Sequence, residues 1–210
     1  MKFSTMSANT DHPAHVAEFT GKYEAETGRI ARTLVGNFYT TLGKLIPPEV
    51  TTILEAGCGA GYSAERILPL LPAGATYEGS DIGEDLITIA REKVPAVSFT
   101  VESIYDLQRP DNSYDCTLAL ETLEHLEDPL AALRELKRVS RKYVILSVPR
   151  EPLWRVLNMA RGTYLSNFGN TPGHINHWSS HGFARFVSQE LSVVEVRKPL
   201  PWTMLLARVD

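Results

Sequence analysis

The sequence predicts an α/β fold: a doubly wound, seven-stranded sheet with a terminal antiparallel strand pair and a helical cap at the N-terminus. Three observations predict it. Short apolar runs alternate with helical patterns from residue 51 to 191, which calls for a sheet covered by helices on both faces. Two strand-like runs, SVVEVRK (192–198) and WTMLLARV (202–209), then follow with only PLP between them. That link is too short for a parallel crossover, so the last two strands must run antiparallel. Finally, the first apolar run leads straight into a glycine-rich turn, as at the first strand-to-helix junction of a ligand-binding α/β sheet.

In chain order, residues 1–13 read as a loose tail. From about Pro13 to Leu45, Ile30, Leu34, Phe38, Leu42 and Leu45 recur at three- and four-residue steps, the period of an amphipathic helix, and Pro47-Pro48 ends it. TTILEA (51–56) is the first strand, followed by the glycine turn and a helix over about 62–71. ATYEGSDI (75–82) is the second strand, with a helix from Glu84 to Lys93, and VSFTVES (97–103) is the third. YDCTLALE (114–121) is the fourth; Asp128 is a good N-cap for the next helix, Pro129 fits its first position, and Leu130, Leu133, Leu136 and Val139 form its inward face. YVILSVP (143–149), nearly all apolar, suits the buried centre of a parallel sheet. An irregular stretch over 150–180 precedes a last helix carrying Phe183, Phe186, Val187 and Leu191. The domain plan is therefore a tail and helical cap over 1–46, then one α/β domain over 47–210 with a lid-like insert at 150–180.

Composition narrows the function classes. With 43% hydrophobic and 22% charged residues the chain has the profile of an ordinary globular protein. A formal charge of −4 argues against a nucleic-acid partner, which requires a concentrated basic surface. Cys58 and Cys116 sit in strand-like, apolar contexts and are expected to be reduced core thiols. The polar N-terminus lacks a signal-peptide core, and no apolar run reaches the roughly 18 residues of a membrane span. The expectation is a cytoplasmic protein with no integral membrane segment, monomeric or homodimeric.

The chemistry-bearing residues cluster where the strands end. ILEAGCGAGYS places Glu55, Gly57, Gly59 and Gly61 at the end of the first strand, where glycines let the backbone turn sharply and approach a ligand closely. Asp81 ends the second strand twenty residues after Gly61, a position from which a carboxylate can accept hydrogen bonds from ribose hydroxyls. A nicotinamide-type GxGxxG fingerprint is not met, because neither glycine nor alanine occupies its last position.

The ExGxGxG turn, the acid ending the second strand and ALETLEHLEDP after the fourth together resemble the class I S-adenosylmethionine-dependent methyltransferases, small-molecule type, over about residues 50–148. The resemblance implies a Rossmann-like sheet, S-adenosylmethionine as cofactor and S-adenosylhomocysteine as product. It implies that Gly57, Gly59 and Gly61 pass close to the cofactor's methionine part, with Glu55 ordering that loop. It places Asp81 on the ribose, Ile82 against the adenine, and Glu121 at the methionine end. Where relatives often carry Gly-Asp-Ala after the third strand, this chain has Val101-Glu102-Ser103; Glu102 and Ser103 are the adenine-side candidates.

Methyl transfer requires an acceptor atom held in line with the methyl group, and for a hydroxyl acceptor a base adds a further factor of about 10²–10⁴. His125, at the carboxyl end of the fourth strand, has a side chain suited to that work, or to holding the loop. The stretch GNTPGHINHWSSHG (169–182) carries His174, His177 and His181 over the same end of the sheet. His174 and His177 are expected to line the acceptor pocket, and His181 to belong to the cap of the last helix with Ser179 or Ser180. A metal site is the secondary reading, since it needs a third ligand from His181, Glu124 or His125, and none is assigned. In REPLWRVLNMARGTYL, Leu153, Val156, Leu157 and Ala160 share a helical face beside Trp154, Arg150, Arg155 and Arg161, either roofing the pocket or covering core.

The sequence therefore points to a methyltransferase acting on a small-molecule acceptor, with oxygen favoured over nitrogen or carbon. ETLEHLEDP is also similar to the corresponding region of quinone- and catechol-type O-methyltransferases. Two rivals stay open. One is an S-adenosylmethionine-binding scaffold or cyclase-type enzyme that moves no methyl group; the other is a metal-dependent catechol-type transferase.

Overall fold

Successive strand residues point to opposite faces of a sheet, so a strand covered on both sides carries apolar runs, as Ile53-Leu54, Leu118-Ala119-Leu120 and Val144-Ile145-Leu146 do here. In a computed structural model of the chain, residues 28–210 are described; the expected tail and the first part of the N-terminal helix lie outside them. Helix α1 (Arg29–Leu45) is followed by β1 (Thr52–Ala56), α2 (Tyr62–Ile67), β2 (Thr76–Asp81), α3 (Glu84–Lys93) and β3 (Ser98–Val101). Then come β4 (Tyr114–Leu120), α4 (Pro129–Val139), β5 (Ser140–Pro149), α5 (Leu153–Ala160), α6 (Ser180–Val187), β6 (Ser192–Arg197) and β7 (Trp202–Arg208).

These strands form one seven-stranded sheet in the order β3-β2-β1-β4-β5-β7-β6. β1 pairs in parallel with β2 and β4, and β7 runs antiparallel to both β5 and β6, as the short link predicts. The strand order reverses between β1 and β4, so their loops diverge there and leave a crevice beyond the carboxyl ends, the usual ligand position of an open α/β sheet.

Two cores sandwich the sheet, and neighbouring residues divide between them. Ile53, Leu118, Ile145 and Met204 pack under α1, α2 and α3 with Phe38, Leu42, Ile67 and Ile87. Leu54, Ala119, Val144, Leu146 and Leu205 face the other way, onto Leu133 and Leu136 of α4 and Phe183 and Val187 of α6. Each such fully buried aliphatic or aromatic side chain contributes about 1.5–3 kcal/mol relative to exposure. The expected start of α4 is present: Asp128 accepts from the Ala131 amide at 3.0 Å, with Pro129 in the first turn. Ser179, rather than Ser180, caps α6, accepting from Gly182 N at 3.1 Å.

Two expectations need correction. Ile30, assigned to the inward stripe of α1, is 78% exposed, because α1 meets the sheet only through its second half, where Phe38, Leu42 and Leu45 are buried. In α5 the buried residue is Asn158, while Val156 and Ala160 of the expected apolar face are exposed. Asn158 is drawn inward by hydrogen bonds, donating from Nδ2 to the Gly169 carbonyl at 2.9 Å. Among the described residues, no helix is long and apolar enough to cross a membrane.

Candidate active site

At the end of β1 the backbone must reverse into α2 while passing close beside the β4 loop, and only glycine fits. Gly57 has φ +81°, and a Cβ built there would lie 2.6 Å from Cγ2 and Oγ1 of Thr122. The loop is held from β2: Gly57 N and Cys58 N donate to the Ser80 carbonyl at 2.7 and 2.9 Å, and Gly59 N donates to Asp81 Oδ2 at 3.0 Å. Asp81 Oδ1 accepts from Gly83 N at 2.8 Å, so one carboxylate ties the glycine loop to the turn after β2. Gly61 then starts α2 in the left-handed region.

Beneath the loop, Glu55 is 1% exposed. Its Oε2 accepts from Ser63 Oγ at 2.7 Å and from the Tyr77 hydroxyl, which anchors the first turn of α2 to β1 and β2. Burial pushes the Glu55 carboxyl up to about 7, against the opposing pull of those two hydroxyls. The expected loop-ordering role of Glu55 thus has a physical means.

On the adenine side of the expected site, Ile82 follows Asp81 and is 74% exposed, an apolar side chain set beside a carboxylate. Glu102 is nearly buried and is engaged by its own loop: Oε2 accepts from Gln108 N at 3.0 Å and Oε1 lies 3.4 Å from Arg109 Nη2. Ser103 stands half-buried at the same strand end, with Oγ accepting from Tyr105 N at 3.2 Å. Glu121, just past β4, adopts φ +55°, a left-handed conformation uncommon for a side chain of its type. Ser147 of β5 supports it, accepting from the Glu121 amide and donating to Glu121 Oε1 at 2.9 Å.

The expected acceptor side gathers two of the three candidate histidines. Ile175 N and Asn176 N both donate to the Glu124 carbonyl, at 2.9 and 3.0 Å, and Asn176 Nδ2 donates to the Leu123 and Leu126 carbonyls. This clamp brings the segment after β5 down onto the loop after β4. His174, 4% exposed, lies edge to face on His125 with ring centroids 4.8 Å apart, and stacks on Trp154 at 6.1 Å. His125 Nδ1 is 3.0 Å from the Gly173 carbonyl, which can only accept, so Nδ1 carries the proton. In the neutral ring Nε2 then holds the lone pair, 4.0 Å from Glu124 Oε1.

His177 has different neighbours. Its Nε2 lies 2.8 Å from Asn170 Oδ1 and 3.0 Å from Arg155 Nη2, on the α5 side of the lid. Partial burial and the Arg155 charge lower its pKa, with Glu151 opposing. His181 Nε2 accepts from Arg185 Nη2 at 3.0 Å within α6, in keeping with its expected structural place. Trp154 Nε1 donates to Thr171 Oγ1 at 2.9 Å, fixing the indole of α5 over His174.

Several contributors escape sequence reasoning. Thr122, Ser147 and the Gly173 carbonyl act through contacts between segments distant in sequence, and no local spacing signals them. Ser63 is the exception. It lies eight residues after Glu55, across a glycine turn, where a hydroxyl could have been expected to cap the loop acid.

Residues 54–148 match the family described as a methyltransferase domain. An uncharacterized methyltransferase of Schizosaccharomyces pombe is 37% identical over 99 residues, covering 42% of this chain and 36% of its own length. A ubiquinone biosynthesis O-methyltransferase of Xanthomonas campestris is 35% identical over 88 residues, covering 39% of this chain and 35% of its own. The chain thus spans about a third of the length of these curated relatives. Magnesium protoporphyrin IX methyltransferase from Synechocystis, solved with bound S-adenosylhomocysteine, superposes with a TM-score of 0.69 at 17% identity, over 95% of this chain and 98% of that one. At that identity the likeness speaks for the fold. Residues 54–148 thus resemble a methyltransferase domain in sequence, and the seven-stranded sheet with its one reversed strand is a fold shared with solved S-adenosylmethionine-dependent methyltransferases.

Proposed function

We propose that this protein transfers a methyl group from S-adenosylmethionine to the oxygen of a small-molecule acceptor. The observation that carries the proposal is the contact between Gly57 and Thr122. It seats the glycine loop directly against the β4 loop, two residues before Glu124 and three before His125. The glycine loop and the loop that carries His125 thereby lie side by side at the carboxyl ends of β1 and β4.

The residues present fit the cofactor. Only glycine allows the loop at Gly57 to pass this close to Thr122, and Asp81 holds the Gly59 amide of that loop and the Gly83 amide of the turn after β2. Asp81 would accept from the ribose hydroxyls, with Ile82 and Ser103 flanking the adenine; Glu102 braces the loop below them through Gln108 and Arg109. Glu121 would face the methionine end, and Glu55 orders the glycine loop from beneath. When bound, the cofactor supplies a sulfonium-activated methyl group, which passes to the acceptor as the carbon–sulfur electron pair returns to sulfur.

The chain's own task is to orient the acceptor and assist loss of its proton. His125 and His174, in edge-to-face contact, would serve there, while His177 bonds Arg155. Arg155, Trp154 and the exposed Val156 in the roof suit an acceptor that combines an acidic group with an apolar, lipid-linked or sugar-like body.

Calorimetric titration with S-adenosylmethionine and S-adenosylhomocysteine tests the reading. Asp81→Ala should weaken both by about 1–3 kcal/mol, the value of hydrogen bonds to a charged group. No binding of either compound to the wild type would overturn it. Binding without turnover on phenolic and other hydroxyl acceptors would favour a non-methylating scaffold.

A further inference from the structure

Glu124, His125 and His174 each offer a donor atom, and the three atoms all lie within 4.8 Å of one another. We propose that these side chains form a zinc-type divalent cation site that ties the lid segment to the loop after β4. Three features of the geometry support it.

The chemistry of the set is the first. Two imidazoles and one carboxylate are a ligand combination used for zinc with an open fourth position, and they suit it better than calcium or magnesium, which take oxygen ligands. Tautomer control is the second. A histidine that ligates a metal usually donates its other ring N–H to a carbonyl or carboxylate, and His125 Nδ1 already donates to the Gly173 carbonyl at 3.0 Å. That bond sets Nε2 as the ligating atom, on the side of Glu124 Oε1.

Preorganisation is the third. His174 comes from a segment nearly fifty residues away in sequence, yet the amides of Ile175 and Asn176 pin it through the Glu124 carbonyl, and the Asn176 side chain adds two further bonds. Donors bonded to one tetrahedral ion at about 2.0 Å stand roughly 3.3 Å apart, so a pair at the 4.8 Å limit needs to close by about 1.5 Å. His125, 42% exposed at its side chain, has room to make that movement. The sequence offered His181 and His177 for the same purpose; the fold directs them instead to Arg185, and to Arg155 and Asn170.

Binding of the ion rests on this geometry alone, whereas its use rests on the proposed methyl transfer. There it would hold the acceptor oxygen in the open position and lower the pKa of that hydroxyl, so that the proton leaves to water before the oxygen attacks the methyl carbon.

The test uses the full chain, stripped with a chelator and titrated with zinc chloride alone, then with cobalt chloride. One equivalent of zinc per chain is expected, with visible d–d absorption for the cobalt form. His174→Ala and His125→Ala should each weaken zinc binding at least about tenfold, with circular dichroism confirming the fold, while His181→Ala binds as the wild type. Absence of stoichiometric binding, or wild-type affinity in either His174→Ala or His125→Ala, overturns the site. S-adenosylhomocysteine titration of the same stripped protein keeps the two readings apart. Cofactor binding without zinc binding sinks the ion alone, and zinc binding without cofactor binding sinks the methyl transfer alone.

Discussion

Glu55 and Asp115 are both buried acids near the ends of β1, and their surroundings move them in opposite directions. Among the described residues Glu55 has two hydroxyls and no cation against it, so burial dominates and raises its carboxyl to about 7. Between about pH 4.5 and 7 the unfolded chain has released that proton while the folded chain keeps it. The resulting stabilisation is therefore full below about 4.5 and is lost as the pH rises to about 7. The size is about 3 kcal/mol. Glu55→Gln, which cannot titrate, should remove this slope; urea midpoints of both proteins across the window measure the difference. An identical slope in the variant would show that Glu55 titrates normally.

At the scale of elements, Asp115 joins three strands at the edge away from the crevice. It accepts from the amide and hydroxyl of Thr51, which precedes β1, at 3.0 and 2.7 Å, and Lys142 Nζ of β5 lies 3.2 Å away. Burial works against its charge, but the Thr51 bonds and Lys142 outweigh burial and hold the carboxyl down to about 2. Its stabilisation is present above the ordinary carboxylate range and is lost as the pH falls toward 2. Asp115→Asn should cost about 1–3 kcal/mol at pH 7 and flatten the acid limb between about pH 4 and 2, read by denaturant unfolding. A wild-type midpoint at pH 7 would mean that the sheet registers without this clamp.

At the scale of the molecule, the covered centre of the sheet and the exposed segment after α5 differ in packing. β4 and β5 are covered on both faces, whereas the lid after α5 carries Leu165 and Phe168 at 61% and 77% exposure. Amide hydrogen exchange should be slowest in β4 and β5 and fast over 161–170, since local opening follows the density of buried contacts. Adding S-adenosylhomocysteine should slow exchange at 57–61 and 81–83 and leave the β6 edge unchanged. Protection confined to some other segment would move the cofactor site away from the glycine loop.

Most of the fold was legible because it follows local rules. The alternation of strand and helix periods, Asp128-Pro129 at a helix start and the short PLP link each specify their outcome within a few residues. The meeting of the glycine loop with Asp81 was legible for the same reason: they lie at the ends of adjacent strands, and a parallel β1–β2 pair leaves them no other place. What only the tertiary structure decided is which histidines meet. Spacing alone favoured His174 with His177; the Ile175 and Asn176 amides bonding the Glu124 carbonyl bring His174 to His125 instead, and Arg155 takes His177. The same holds for Asn158, buried in a helix whose apolar stripe had suggested the opposite face. Periodicity reports what a segment prefers by itself, but a long irregular connection is placed by bonds to partners that sequence distance conceals.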